Sequence, residues 1–143
     1  MSAILPGVVS GLAAALRVFL GASLILHGYP KVKGGWRQSV QWMKSMAVPG
    51  VMAILATIIE FFGGLLLLVG FLVPVVAAFV ALQFAGIIAM KKTKMGASYI
   101  SFVQGKATYE IDAFYLMLAA ALVVLGAGIA SVDSILGLAP LLG

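Results

Sequence analysis

Residues 51–90 form an almost unbroken apolar run in which Glu60 is the sole charged side chain. Wound as one helix, that run would reach about 60 Å, roughly twice the ~30 Å hydrocarbon core of a bilayer. The chain therefore has to turn inside it. Gly70-Phe71-Leu72-Val73-Pro74 is the one break. Gly70 can take the positive φ that ends a helix, and Pro74 suits the first turn of the next. The expectation is a tight antiparallel hairpin of two membrane helices, over about 51–71 and 73–90.

Two more apolar stretches, about 8–29 and 111–130, are long enough to cross. Of the whole chain, 64% is hydrophobic and only 9% charged, against about 25% charged in a soluble domain. Lipid, not water, must cover most of the outer face. The fold class read from this pattern is all-α: an integral membrane four-helix bundle, one domain over residues 1–143. No Lys or Arg precedes Arg17, so the first run is expected to be a permanent span and not a cleaved leader, which wants a basic start.

The net charge is +5, and its placement matters more than its size. Lys31, Lys33, Arg37 and Lys44 lie in the connection 30–50; Lys91, Lys92, Lys94 and Lys106 lie in the connection 91–109. The positive-inside rule puts both loops in the cytoplasm and both termini outside, in a multi-pass protein of the cell membrane. Basic residues set between apolar spans point to anionic headgroups of the lipid bilayer and not to nucleic acid. In the first loop Trp36, Val40, Met43 and Ala47 recur at helical spacing, with polar residues on the other face. A short interfacial amphipathic helix is expected there. Asp133, ahead of Ile135-Leu136, reads as the N-cap of a short final helix.

Polar groups inside the spans carry the functional signal. Arg17, Glu60 and Gln83 each fall near the middle of a span, and a lipid-facing charge at that depth costs about 2.5–3.5 kcal/mol. All three are expected to point inward, Arg17 toward Glu60 with Gln83 completing the layer. They form either a structural ion pair that fixes register or a polar site for a quinone headgroup or a proton. His27, ending the first span, can serve the same site or sit as an ordinary interface residue. Glu110 and Asp112 open the fourth span, as helix-start acids paired with nearby lysines or as the entry of a polar path. Gly63-Gly64, and the Gly7/Gly11 pair, permit close helix approach.

The chain has no cysteine and one histidine. That excludes thiolate catalysis, iron–sulfur ligation and, within a single copy, bis-histidine haem. No metal-ligand cluster, nucleotide-binding loop or nucleophile–base pair is present, so no metal and no cofactor held by the chain alone is expected.

These residues, in this order, resemble the DoxX family of small membrane proteins. The resemblance runs from about Arg17 to Gly137. It is carried by Arg17 and Gly21, His27-Gly28 through Lys31, Met46 through Pro49-Gly50, Glu60 through Gly63-Gly64 and Gly70, Glu110, and Gly126 through Ser131 and Asp133. It implies a four-helix membrane bundle and a redox setting. The related DoxD-type proteins are subunits of a thiosulfate:quinone oxidoreductase, and DoxX proteins are linked to membrane oxidoreductase assemblies and thiol stress. Family members often carry basic termini, whereas here the basic residues sit in the loops. Without cysteine, any thiosulfate chemistry would need a partner chain.

Three readings follow. One is a quinone-associated subunit of an oxidoreductase complex, with redox partner subunits. The second is a non-catalytic scaffold or assembly protein, and the third a small transporter using the midplane layer. Self-association as a homo-oligomer is compatible with each. Catalysis, if the chain takes part in it, belongs to the complex.

Overall fold

The computed structural model describes residues 4–138 and is helical throughout its spans. Helix α1 runs Ile4–Pro30, and α2 is Trp36–Ser45. Between them the chain turns through Lys31–Gly35, where Gly34 has φ 125°. The amphipathic segment of the first loop is thus a real helix, with Met43 buried. Next come α3 (Val51–Ile58) and α4 (Gly64–Val69), joined without a break by a π turn over Ile59–Gly63. Gly70 closes α4 with φ 75°, and α5 (Val73–Met95) begins with Pro74 in its first turn. Helix α6 is Glu110–Leu125, and a short α7 spans Val132–Ile135.

Three of these segments are long and apolar enough to span a membrane: the element containing α1, the segment Val51–Val69, and α5. The chain is membrane-integral. Helix α6, at 16 residues, covers about 24 Å and ends at Leu125 rather than near Ala130. Gly126 (φ 72°), Gly128 (φ 69°) and Ala130 (φ 52°) then carry the chain in a non-helical path back across α1. Helix α1 packs against α4, the π turn and α6, and α5 packs most extensively against α6. Their inner faces form one core of Leu20, Leu24, Leu67, Val80, Phe84 and Leu122. The outer faces present large apolar side chains such as Phe19, Leu82, Met117 and Val124, as a lipid solvent requires.

Glycines set how closely α1 approaches the second crossing. A Cβ on Gly21 would lie 2.8 Å from the Gly64 carbonyl oxygen, and one on Gly28 would lie 2.8 Å from the Phe61 nitrogen. Backbone therefore meets backbone along this seam. The Gly7 and Gly11 faces, by contrast, have nothing within 4 Å among the described residues.

Candidate functional site

Glu60 lies on the π turn in the middle of the second crossing and is 4% exposed. A π turn inserts a residue into the helical ladder and re-aims the side chains it carries, and such turns recur at functional sites. Here the turn's backbone presses on Gly28 of α1, which brings the end of α1 within reach. Lys31, the residue after α1, reaches this carboxylate, with Nζ donating to Glu60 Oε2 at 2.5 Å. From α5, Gln83 Nε2 donates to Glu60 Oε1 at 3.0 Å. Three successive crossings thus converge on one carboxylate. The second amide atom, Gln83 Oε1, is buried without a hydrogen-bond partner.

A second ion pair faces the same space. Asp112, buried on α6, accepts from Lys91 Nζ at 2.5 Å, and Lys91 also donates to the Thr108 carbonyl at 3.2 Å. Glu110 begins α6, and Asp112 is the acid turned inward. Between the two pairs is a cavity of about 450 Å³, also lined by His27, Ser39, Trp42, Phe84 and Tyr115. Phe84 stacks on Tyr115 with centroids 4.9 Å apart, and His27 meets the edge of Tyr115 at 5.7 Å.

An apolar cleft of about 330 Å³ lies alongside, between α3 and α5. It shares Met43, Ala56, Ile87 and Met90 with the polar cavity, and Gln83 is a polar side chain on its wall. Phe79 and Leu82 at its rim are 57% and 71% exposed, so this cleft faces lipid.

The structure brings Glu60 and Gln83 together and sets His27 and Asp112 on the same cavity. It does not bring in Arg17. The guanidinium of Arg17 donates to the carbonyls of Leu67 (3.3 Å), Leu68 (3.1 Å) and Ala130 (3.0 Å). Glu60 lies seven residues before Leu67 on the same crossing, about 10 Å along its axis. The expected Arg17–Glu60 pair is therefore not formed: Arg17 ties the end of α4 to the returning C-terminal segment. Asp133 also differs from expectation. Ser131 is the N-cap of α7, in a reciprocal capping box with Ser134. The Asp133 carboxylate instead accepts from Leu72 N (2.7 Å) and Val73 N (2.9 Å), capping the start of α5 from a distant part of the chain.

Lys91 is one of the nearby lysines expected to pair with the acids opening the fourth span, while Lys31 as the partner of Glu60 is not among the sequence expectations. Lys31 is four positions after His27, on the same helical face, and that spacing was the available clue. Among the described residues, no three His, Cys, Asp or Glu side chains gather as a metal site.

The DoxX family model matches residues 12–92, more than half of the chain. The chain is 38% identical over 65 residues to the inner membrane protein YqjF of Escherichia coli (strain K12), covering 46% of this chain and 49% of that protein. The match thus spans about half the length of that curated relative. No solved structure matches.

Proposed function

The chain belongs to the DoxX family, and from that premise we propose that it is a quinone-binding subunit of a membrane oxidoreductase complex. In this reading α6 is the fourth crossing of a single four-helix bundle, with α2 lying at the interface. The lysine-bearing loops face the cytoplasm, and the redox partner is another chain.

The observation that carries the reading is Gln83, which lines a lipid-facing apolar cleft and whose buried Oε1 has no hydrogen-bond partner among the described residues. A buried polar atom without a partner costs about 1–3 kcal/mol, and a ligand that donates to it would recover part of that. Quinol hydroxyls are such donors, and the cleft suits an apolar ring and tail. In the adjoining polar cavity His27, Lys31 and Tyr115 would supply donors to a quinone carbonyl that reaches past the shared residues, and the Phe84–Tyr115 stack would supply an aromatic face. The residues present fit the group, in the pattern of an apolar pocket with a few placed polar groups. A bound quinone would supply two-electron, two-proton redox chemistry. Glu60 and Lys31 would hold and move protons at its edge, while Gln83 would orient it.

The test is quinone retained by protein purified in mild detergent, quantified by extraction and mass spectrometry, with ubiquinone and menaquinone analogues titrated back. Gln83→Leu removes both hydrogen-bonding ends of the amide and should weaken binding about tenfold, equivalent to about 1.4 kcal/mol. Glu60→Gln should weaken it by a similar factor with the helix content unchanged. Wild-type affinity in both folded variants, or no quinone binding at all, sinks the reading and favours a structural role for the layer.

A further inference from the structure

Apart from Arg17 and Asp133, which meet backbone groups around the 70–72 turn, the charges outside the two ion pairs lie in or beside the two basic loops. Lys33, Arg37, Lys44, Lys92, Lys94 and Lys106 are exposed, and none is in an ion pair among the described residues. Glu60 and Asp112 are already matched by Lys31 and Lys91, so Glu110 is the one acid at this end outside an ion pair.

The aromatic residues are distributed in the same one-sided way. Both tryptophans, Trp36 and Trp42, and three of the four tyrosines, Tyr29, Tyr99 and Tyr109, lie in or beside these two loops. Trp and Tyr prefer the headgroup level of a bilayer. Three of the cations stand over these rings: Lys33 over Tyr29 (5.1 Å), Arg37 over Trp36 (5.4 Å) and Lys92 over Tyr109 (5.6 Å).

The loop between α5 and α6 adds a shaped element. Its base is closed by Ser98 N donating to Ala107 O (3.3 Å) and Tyr109 N donating to Ser98 O (3.2 Å). Lys91 fastens it from inside through the Thr108 carbonyl. The tip beyond that base carries Ile100, Phe102 and Val103, which are 51%, 96% and 68% exposed. An apolar tip on a tethered loop, flanked by Lys94 and Lys106, has the composition of a wedge for the boundary between headgroups and acyl chains.

We infer that this basic end is a binding surface for anionic phospholipid headgroups, with the 99–103 tip inserted among the lipids of the same leaflet and α2 lying alongside it. The occupant is chosen by charge complementarity. Six unmatched cations beside apolar and aromatic side chains fit an anionic lipid surface, each cation near such a surface strengthening attachment several-fold. The inference does not depend on quinone binding.

Because the chain has no cysteine, single-site labelling is clean. Phe102→Cys carrying an environment-sensitive NBD fluorophore is reconstituted in vesicles of phosphatidylcholine with and without 30 mol% phosphatidylglycerol. The expected result is a blue-shifted emission quenched by spin-labelled lipid and protected from aqueous iodide, deepening when phosphatidylglycerol is present. In parallel, native mass spectrometry of the unlabelled protein should show phosphatidylglycerol enriched several-fold over phosphatidylcholine. The Lys92→Gln/Lys94→Gln/Lys106→Gln variant should lose most of that enrichment. A water-exposed label in both vesicle types overturns the inference. Equal retention of the two lipids by the wild type overturns the headgroup preference.

Discussion

Asp133→Ala is expected to destabilise the fold by about 2–4 kcal/mol, because one buried and one partly buried amide lose their shared acceptor, at about 1–3 kcal/mol for the buried one and less for the other. Leu72 N and Val73 N are the first donors of α5, which no residue within the helix can satisfy. The carboxylate that satisfies them is 1% exposed, and its own backbone N–H donates to the Gly70 carbonyl at 2.9 Å. The hairpin turn is therefore closed by a residue some sixty positions away. Arg17 holds the same junction from below through Leu67, Leu68 and Ala130. Denaturation in mixed detergent micelles, followed by circular dichroism, measures the loss. Asp133→Asn keeps one acceptor oxygen and should lie between wild type and Asp133→Ala. In a double-mutant cycle with Arg17→Met, the combined loss should fall short of the sum, because either change alone releases the C-terminal segment. An unchanged midpoint for Asp133→Ala would show that the segment does not hold the turn.

That junction marks where sequence reading stops. The hairpin was legible because Gly70 and Pro74 act locally and the apolar run was too long for one crossing. Glu60 and Gln83 were legible as members of one inward-facing polar layer because both sit near the middle of adjacent antiparallel crossings, although the partner expected for Glu60 was Arg17. The partner of Arg17 was not. The helix that carries it starts at Ile4 and runs 27 residues to Pro30, more than a bilayer needs. Hydropathy alone does not fix its register against the second crossing. Slid to the observed register, Arg17 meets the end of α4, and Lys31 arrives beside Glu60 in its place. Asp133 followed the local capping pattern in sequence, but a cap that acts across the fold has no local signature. Ser131, two positions earlier, satisfies the same pattern and caps α7. Asp112 and Glu110 were both read as helix-start acids. Which of them turns inward depends on the rotation of α6 against α5, and that is set by packing.

The seam between α1 and the second crossing leads to the other large expected effect. Gly64→Val should destabilise the protein by about 3 kcal/mol or more, at the upper end of what overpacking does. A Cβ at position 64 would stand 2.9 Å from the Gly21 carbonyl oxygen and 3.1 Å from the Ile25 nitrogen. These obstacles are helical backbone, which cannot rotate aside as a side chain can, so the two helices must part. Gly21→Ala meets the same wall from the other side, with Gly64 O at 2.8 Å and Leu68 N at 3.0 Å. Once one methyl has separated the helices, the second has less to push against, so Gly21→Ala/Gly64→Ala should be less harmful than the sum of its parts. Gly11→Ala is the control: it sits in α1 with nothing within 4 Å among the described residues, and helix propensity predicts a gain of about 0.5–1 kcal/mol. The seam also controls the site. Lys31 reaches Glu60 only because Gly21, Gly28 and Gly64 allow α1 to lie against the π turn, so parting the helices pulls the ammonium away from the carboxylate. In Gly64→Ala protein that still folds, the Glu60→Gln substitution should therefore change stability less than it does in the wild type. Equal effects of Glu60→Gln in the two backgrounds would show that the ion pair does not depend on the glycine seam.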